Sequence, residues 1–428
     1  MTKTSVGIDF GTTNSSVARI GADGKVCLAR FPCLGGVTES YRSLLYLEQA
    51  KERGATTIRS FTGPSGIEHY LAAETKGRLI QSLKSFLANR NLQSTEVFGR
   101  RQTLESLIAR ILADLRAKAS EQFGTEIRTA VVGRPVRFVG ASNHEDDAYA
   151  ESRLRGAFAS AGFETVAFEF EPVAAARYYE STLDHDELIL IGDFGGGTSD
   201  FSLIRVGPSI RRNGRAPSDL LGTAGVGIAG DAFDARIVRH LVSPALGLGT
   251  FLKSVEKTLP VPSWIYARLE KWHHLSLLRT QETMHMLKGL RKQAMEGDRI
   301  AALIHLVTED LGYHLHQAVQ RTKVDLSSNT SARFHFSDGF LELTEDVERA
   351  DFEQWITPEL EQIETCIDGL LAQAGITGAD VDRVFLTGGT SFVPAVRRIF
   401  DARFGADRIR SGNEFTSVAQ GLALQAAD

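Results

Sequence analysis

The alternation of hydrophobic and polar residues predicts two similar groups of strands in this chain of 428 residues. Near the start, TSVGIDF and SSVARIG are predicted strands on either side of a turn at 11–14, and KVCLARF is a third strand. From Leu188 onward, LILIGDF and DFSLIRV repeat this strand–turn–strand order. Helix and strand patterns follow each pair, so the sequence predicts an internal duplication with a boundary at 184–187.

Hydrophobic residues at helical spacing predict the elements between and after these strands. Helices are predicted over LESLIARILADLRAKASEQF and AESRLRGAFASAG, and TAVVGRPVRF is a predicted buried strand. In ETVAFEFEPVAAARYYE we expect a strand that becomes a helix at Glu171. A helical insertion is predicted between about 230 and 328, with Trp264 and Trp272 in its core, and VDRVFLTGGTSFVPAVRRIF predicts a strand, a glycine turn and a helix. The expected fold class is α/β, with two lobes around a cleft.

Composition and charge exclude several classes of function. The chain is 43% hydrophobic and 24% charged, and its 48 basic and 53 acidic residues give a net charge of −5, so no basic field indicates a nucleic-acid partner. The cysteines Cys27, Cys33 and Cys366 are too few and too irregular for a disulfide framework or a zinc knuckle, which favours a reducing compartment. We find no signal peptide and no apolar run of about 18 residues, and therefore expect a cytoplasmic protein with no membrane partner.

Three glycine-rich turns, each between predicted elements, favour phosphate binding. Glycines that follow a strand let backbone N–H groups converge on an anion. The turns consist of Gly11, Thr12, Thr13 and Asn14; of Gly195, Gly196, Gly197 and Thr198; and of Gly388, Gly389 and Thr390. The third turn precedes a predicted helix, whose N-terminal dipole also favours phosphate. The alternative is that all three are only tight turns, because glycine is common in turns.

Three aspartates lie beside these turns. Asp9, Asp193 and Asp200 would repel a phosphate unless a cation stood between them. Mg²⁺ prefers carboxylates and retains several waters, so acids around a phosphate-binding turn indicate a hydrated Mg²⁺–nucleotide. The alternative role for an aspartate before glycine is to cap the turn.

Other nucleotide-binding motifs do not fit their context. Asp-Phe-Gly also occurs in protein kinases, but the chain has no HRD catalytic loop, and the Walker pattern GxxxxGK[ST] is absent. Gly225, Gly227 and Gly230 match a dinucleotide fingerprint, yet no acidic residue ends a strand at the required distance after them. We interpret this segment as a glycine turn that leads into the helix DAFDARIVRHLV.

These motifs resemble the nucleotide-binding domain of the heat-shock protein 70 (DnaK-type) chaperones, in the actin-like ATPase superfamily. GIDFGTTNSS and GDFGGGTSDFS are similar to the two phosphate loops of that family, and LTGGTSFVP is similar to its adenosine loop. FEPVAAARYY and FTSVAQGLAL resemble its two connecting helices. The resemblance spans nearly the whole chain, in the same order, and VVGRPVRF and SLKSFL are similar to the YegD-like branch.

The resemblance implies an actin-like ATPase fold of two duplicated ribonuclease-H-like lobes around a nucleotide cleft, each with an inserted subdomain. The first lobe is expected at 1–187, with an insertion at about 37–126. The second lobe is expected at 188–411, with a helical insertion at about 231–345, and residues 412–428 form a helix that returns to the first lobe.

The resemblance also implies roles for individual residues. Asp9, Asp193 and Asp200 are the carboxylates on the side of Mg²⁺, and Glu171 lies at the water shell of the metal and at the lobe hinge. The β- and γ-phosphates are contacted by Thr12, Thr13, Gly196, Gly197 and Thr198, and Thr198 orients the attacking water. Lys84 matches a lysine that contacts the γ-phosphate, and a cation there suits a reaction catalysed by positioning and charge compensation.

For the nucleoside, QRTKVDLSS resembles the adenosine helix of the family. Gln320, Lys323 and Ser327 are spaced to share one helical face, and Gly230 is included among the nucleotide contacts. The chain departs from the family pattern at three positions: a glutamate is replaced by Gln320, and arginines are replaced by Val324 and Phe392. We therefore expect an apolar, aromatic base site in which Phe392 stacks on the adenine.

The implied function is Mg²⁺-dependent binding and slow hydrolysis of ATP to ADP, coupled to lobe movement in a chaperone-like role. The resemblance ends near QGLALQ, so no peptide-binding domain is expected, and unfolded protein would require a co-chaperone or another partner that supplies substrate binding. Two alternatives share the fold: a sugar or acetate kinase, and an actin-like filament protein. A kinase needs a catalytic acid and polar contacts to its metabolite, and we find no convincing set of such residues.

Overall fold

The computed structural model describes residues 5–33, 36–52, 55–73, 77–180, 183–214, 216–253, 258–270, 278–411 and 417–427. The strands, in chain order, are β1 Ser5–Phe10, β2 Asn14–Ile20, β3 Val26–Leu28, β4 Phe31–Cys33, β5 Gly36–Thr38, β6 Tyr41–Arg42, β7 Leu44–Glu52, β8 Ala55–Thr62, β9 Arg78–Gln81, β10 Ser94–Val97, β11 Arg100–Thr103, β12 Thr129–Arg134, β13 Thr165–Phe170, β14 Glu187–Phe194, β15 Ser199–Val206, β16 Leu220–Val226, β17 Phe251–Leu252, β18 Leu259–Pro260, β19 Ser331–Ser337, β20 Glu342–Glu348, β21 Arg383–Thr387 and β22 Ile409–Ser411.

The α-helices, in chain order, are α1 Gly63–Ala72, α2 Leu104–Phe123, α3 His144–Ser160, α4 Glu171–Glu180, α5 Pro208–Asn213, α6 Gly230–Ile237, α7 Ser243–Ala245, α8 Trp264–Leu269, α9 Gln281–Gln293, α10 Gly297–Thr308, α11 Gly312–Ser328, α12 Arg349–Trp355, α13 Thr357–Ala374, α14 Pro394–Phe404 and α15 Ser417–Ala427. A π-helix, Val238–Val242, continues α6. Among the described residues, no helix is both long and apolar enough to cross a membrane.

The chain divides into two compact units. The first unit comprises Met1–Ala229, Gln362–Ser391 and Val396–Asp428, and the second comprises Gly230–Glu361 and Phe392–Ala395. The second unit therefore contains α6 to α12 with the hairpin β19–β20, and the first contains both large sheets.

The two large sheets of the first unit have the same topology. One has the order β3-β2-β1-β12-β13, with β6 also paired to β2, and the other has the order β16-β15-β14-β21-β22. In both, the central strand pairs antiparallel with the next strand along the chain and parallel with a later strand. The shared strand order and directions confirm the internal duplication predicted from the sequence.

The first sheet is covered on one face by α2 and α3. Val6, Ile8 and Phe10 share a core with apolar residues of both helices. Because side chains alternate along a strand, Gly7 and Asp9 lie on the opposite face, where α15 packs on β1. Thr103 caps α2 by accepting a hydrogen bond from the Ser106 N–H at 3.1 Å, so the helix begins where the sequence pattern predicts.

Two helices, α4 and α15, pack against each other and connect the cores of the two sheets. Their small residues, such as Ala174 and Ala176, allow the two backbones to approach closely. One cluster joins β12, both helices and strands of the second sheet; it contains Val131, Val173, Ala174, Ala175, Ala176, Ile189, Ile191, Ile204, Val206, Val418 and Leu422. Glu171, the first residue of α4, is thereby held in a fixed position relative to both sheets.

Two expectations from the sequence need correction. The third strand predicted at KVCLARF is present but shorter, as β3 covers only Val26–Leu28; beyond it the chain buries Phe31 edge-on against Tyr41, with the ring centroids 5.0 Å apart. Trp264 is not a core residue, because it is 42% exposed. The Arg268 guanidinium carbon lies over its ring, 5.1 Å from the ring centroid. Trp272 lies outside the described residues.

Candidate phosphate and metal site

Each of the two Asp-Phe-Gly turns joins the first two strands of a large sheet. β1 ends at Phe10 and β2 begins at Asn14, while β14 ends at Phe194 and β15 begins at Ser199. In the first sheet Asp9 is opposite Ser16, whereas in the second Asp193 is opposite Asp200. The duplicated turns therefore carry one carboxylate in the first copy and two in the second.

The first turn is tight and is braced by a neighbouring segment. A Cβ at Gly11 would lie 2.2 Å from the carbonyl oxygen of Asn14, so only glycine fits there without displacing the backbone. The Ser43 N–H donates to the Thr13 carbonyl oxygen at 2.9 Å, and the hydroxyls of Ser15 and Ser43 are 2.8 Å apart. Thr12 and Thr13 thus belong to a turn with a defined backbone.

The second and third glycine turns meet. Gly388 has φ +85°, and a Cβ there would lie 1.9 Å from the Phe194 carbonyl oxygen, so glycine is required for this approach. Beside it, the Thr387 hydroxyl donates to Oδ1 of Asp193 at 2.6 Å. In the second turn, the Gly195 N–H donates to the Thr198 carbonyl oxygen at 2.9 Å.

Lys84 lies in a 3₁₀ turn, Leu83–Phe86, and pairs with Glu171. Its Nζ is 2.7 Å from Oε1 of Glu171, and the two side chains are only 7% and 10% exposed. A buried ammonium needs such a partner, because transfer of an unpaired charge out of water costs several kcal/mol. The resemblance alone selected these two residues, and the fold brings them together across 87 positions of the chain.

The three aspartates lie in an environment that disfavours their ionised forms. Burial, and then repulsion by Glu171, raises the pKa of Asp9 and that of Asp200 well above the usual value. The same causes raise the pKa of Asp193 to about 6, against opposing effects of the Thr387 hydrogen bond and Lys84. These carboxylates repel one another when they are ionised, and the Lys84 ammonium compensates only part of their charge.

This charge distribution suits a hydrated divalent cation. Among the described residues, no three His, Cys, Asp or Glu side chains converge closely enough to hold a metal ion directly. Mg²⁺ usually retains several waters and takes one or two carboxylates together with phosphate oxygens, so it does not need such a cage. Asp9, Asp193, Asp200 and Glu171 therefore fit an ion bound together with phosphate.

The remaining residues of the predicted phosphate loops lie close to these groups. The position of a Cβ on Gly197 is 3.5 Å from Val139 and 3.7 Å from the Ser85 hydroxyl, next to Lys84. Thr198 donates a hydrogen bond to Asp200, which lowers the pKa of that carboxyl against the larger effect of burial. Gly196 lies in the same loop, and Gly389 and Thr390 begin the 3₁₀ turn Gly389–Phe392.

The predicted nucleoside contacts Gly230, Gln320, Lys323, Ser327 and Phe392 belong to the second unit. Gln320, Lys323 and Ser327 lie on α11, as their spacing predicts. The Lys323 ammonium donates to the Gly230 carbonyl oxygen at 3.2 Å and lies 2.7 Å from Oδ1 of Asp234. Phe392 is 46% exposed and Val324 is 62% exposed.

Sequence reasoning missed Arg153, which anchors the loop that follows Lys84. This side chain on α3 is 6% exposed and forms an ion pair with Glu105. Its guanidinium also donates to four carbonyl oxygens, those of Phe86, Leu87, Asn89 and Leu92, at 3.4, 3.2, 3.3 and 3.0 Å. The one available signal was an arginine on the apolar face of a helix, three residues after Ala150 and next to Leu154.

Comparison with known proteins identifies the family. The sequence pattern of the family described as Hsp70 protein matches residues 72–246 and 307–427, which is more than half of the chain. The chain belongs to the Hsp70 family. Members of this family are ATPases with the actin-like fold, so the fold class and the enzyme class expected from the sequence are those of the family.

Similar proteins include bacterial and plant members of the Hsp70 family. "Chaperone protein DnaK" of Thermosipho africanus is 25% identical over 99% of this chain and 58% of its own length. "Heat shock 70 kDa protein 7, chloroplastic" of Arabidopsis thaliana is 26% identical over 98% of this chain and 52% of its length. "Chaperone protein DnaK" of Thermus thermophilus is 27% identical over 77% of this chain and 44% of its length. The chain thus spans about half the length of these curated relatives.

We predict that Asp193→Asn raises the Tm of the nucleotide-free protein at pH 7. Because the pKa of Asp193 is about 6 in the folded chain, against an ordinary 3.8, the folded state binds more protons between these values. The free energy of unfolding therefore falls as the pH rises through this window, and the Asp193 carboxyl contributes up to about 3 kcal/mol to this fall. Asparagine cannot ionise, so this loss of stability disappears, while its amide oxygen still accepts the hydrogen bond from the Thr387 hydroxyl.

Thermal melts at several pH values between about 4.5 and 7.5 measure this effect. The gain from Asp193→Asn should be largest at neutral pH and should shrink as the pH falls below about 6. Asp368→Asn is the control, because the exposed Asp368 pairs with Arg403 at 2.7 Å and its pKa is lowered. That variant should gain no stability at pH 7. An Asp193→Asn gain that is independent of pH contradicts the prediction.

We also predict that Arg153→Met loosens the loop over residues 86–92. The substitution leaves four carbonyl oxygens and Glu105 without their cationic donor, which should cost about 3 kcal/mol and lower the Tm. Hydrogen exchange should accelerate in this loop. Arg116→Met is a matched control, since the Arg116 guanidinium donates to the Ile127 carbonyl oxygen at 3.2 Å, away from Lys84. If both variants accelerate exchange equally over 86–92, Arg153 has no specific role there.

Proposed function

We propose that this chain binds ATP with Mg²⁺ and hydrolyses it slowly to ADP and phosphate. The observation that carries the proposal is the buried Lys84–Glu171 pair, at 2.7 Å, with Asp9, Asp193 and Asp200 around it. The glycine turns that begin at Gly11 and Gly195 directly follow the strands that carry Asp9 and Asp193. Membership of the Hsp70 family supports the same reaction class.

In the proposed mechanism, the residues of the chain position the reactants and compensate charge. Backbone N–H groups and hydroxyls of the first two turns, including Thr12 and Thr13, bind the β- and γ-phosphates. Lys84 approaches the γ-phosphate from its place beside Glu171 and offsets charge on the transferred group. Thr198, which already donates to Asp200, orients the water that attacks phosphorus as the bond to ADP breaks.

Asp9, Asp193, Asp200 and Glu171 are proposed to hold Mg²⁺ through its waters. When bound, the ion neutralises part of the charge on the phosphate oxygens. The carboxylates must lose their protons to do this, because a protonated carboxyl does not attract a cation. Since the pKa of Asp193 is about 6, this residue is largely ionised at neutral pH.

The proposed role of hydrolysis is conformational and chaperone-like. Two similar proteins are named chaperone protein DnaK, which supports this role. We propose that ATP turnover shifts the two lobes, with bounds at 1–187 and 188–411 and a returning helix at 412–428. Unfolded protein, or a co-chaperone that supplies substrate binding, is the proposed partner. A cytoplasmic location and the YegD-like branch stay predictions from the sequence.

We predict that Lys84→Ala reduces the rate of phosphate release by about a hundredfold, because it removes a cation that acts on the transferred group. Asp193→Asn should reduce the rate similarly through weaker metal binding. Release of phosphate from ATP, with and without unfolded protein, measures both. Lys25→Ala is the control, since Lys25 is exposed on the hairpin between β2 and β3.

Full activity of Lys84→Ala would show that its assigned role is wrong. The same assay separates the alternative functions. ATP consumption stimulated by a sugar or by acetate would indicate a metabolite kinase. An ATP-dependent rise in light scattering would indicate a filament-forming protein.

The proposed nucleoside contacts are Gly230, Gln320, Lys323, Ser327 and Phe392, together with Gly388 to Thr390. We predict that Phe392→Ala weakens ATP binding about tenfold, because stacking of an aromatic ring on a base contributes about 1–3 kcal/mol. Calorimetry with ATP measures the change. Phe340→Ala is the control, as Phe340 is also exposed, at 73%, and packs beside His305. Unchanged affinity in Phe392→Ala contradicts the aromatic base site.

A further inference from the structure

Arg42 lies beside the first glycine turn and has no role in the function described so far. It forms β6 with Tyr41, and β6 pairs with the start of β2 so that Arg42 is opposite Asn14 and Tyr41 is opposite Ser15. The Tyr41 ring is fully buried, and its hydroxyl donates to Thr62 at 2.7 Å. The backbone of Arg42 is therefore fixed next to the turn.

The side chain of Arg42 lies on the same face of the sheet as Asp9. Asp9 is opposite Ser16, and Asn14 precedes Ser16 by two residues, so these three side chains share a face. Because Arg42 is opposite Asn14 in the strand pair, its side chain lies on this face as well. Its guanidinium donates from Nη1 to Oδ1 of Asn14 at 3.2 Å.

The charge of Arg42 is not compensated within the described part of the chain. Two other partly buried arginines, Arg134 and Arg236, pair with carboxylates, with Glu151 at 2.7 Å and with Glu359 at 2.7 Å. Arg42 is half-buried, yet its guanidinium donates to the neutral amide of Asn14. Guanidinium carries five N–H donors in a planar fork, which suits phosphate oxygens and leaves most donors available here.

We propose that Arg42 is an additional phosphate-binding residue, which contacts the phosphates of a nucleoside di- or triphosphate at the first glycine turn. The inference rests on the proposed nucleotide binding and adds a second cation to Lys84. The Asn14 amide oxygen orients the guanidinium, and a phosphate supplies the anionic partner that Arg42 lacks among the residues that the structure describes. Because arginine stays charged at every physiological pH, this contact does not depend on protonation.

The test compares ligands with and without phosphates. Calorimetry in Mg²⁺ buffer measures ADP and adenosine binding to wild type, Arg42→Ala, Arg42→Lys and a control, Arg30→Ala. Arg30 is 66% exposed and pairs with Glu39, so its removal should change neither affinity. Arg42→Ala should weaken ADP binding by about tenfold to a hundredfold and leave adenosine binding within about twofold, since one charged hydrogen-bonding partner of phosphate is lost. Arg42→Lys should be intermediate, because it retains the charge but not the fork.

Three outcomes separate this proposal from the proposed function. If wild type binds no ADP, the proposed nucleotide binding itself fails. If Arg42→Ala binds ADP as wild type does while Lys84→Ala loses phosphate release, the role of Arg42 is overturned and the proposed function stands. If Arg42→Ala loses affinity for ADP and adenosine equally and lowers the Tm of the nucleotide-free protein, the proposed phosphate contact is also overturned. Arg42 then acts only on the stability of the fold.

Discussion

Three aspartates lie near the Lys84–Glu171 ion pair, and the fold must hold the four carboxylates together against their mutual repulsion. Asp9, Asp193 and Asp200 all experience the charge of Glu171, and the Lys84–Glu171 ion pair compensates only part of it. A like-charge cluster of this kind is unfavourable in a buried place unless the surrounding structure determines its geometry. That requirement explains why each acid lies at the end of an element rather than on a long loop. Asp9 and Asp193 are the next-to-last residues of the central strands, and Glu171 begins a helix.

The duplicated sheets and the helix pair supply this rigidity. α4 begins at Glu171 and packs on the second sheet, while α15 packs on the first sheet and on α4. Because one apolar cluster includes both helices and strands of both sheets, a displacement of Glu171 would disturb close packing at several points. Arg153 restrains Lys84, the other member of the ion pair, because its guanidinium binds carbonyl oxygens between residues 86 and 92, at and after the end of the Lys84 turn. The 2.7 Å ion pair thus connects two independently anchored segments.

Local patterns in the sequence predicted the elements but not the contacts between them. Strands around Asp-Phe-Gly and the bounds of α2 follow from alternation, helical spacing and the Thr103 cap, which are properties of neighbouring residues. Lys84 was found only through resemblance, because nothing in SLKSFL indicates that Glu171 lies nearby. Arg42 was missed because its partner depends on strand pairing across 28 positions. Trp264 was assigned to the core because helical spacing identifies an apolar face, but not what covers it.

The two copies of the repeated turn are unequal, and the inequality divides the chemistry between them. In the first copy the residue opposite Asp9 is the neutral Ser16, and the cationic residues Lys84 and Arg42 come from segments that follow β2 along the chain. In the second copy Asp193 is opposite Asp200, a like-charge pair that is destabilising by itself. A ligand that carries both a cation and anionic oxygens satisfies the two copies at once, whereas an anion alone would leave the second copy uncompensated. The proposed Mg²⁺–nucleotide has this composition. Its binding would relieve the repulsion between Asp193 and Asp200, and this relief would favour binding of the metal-bound nucleotide.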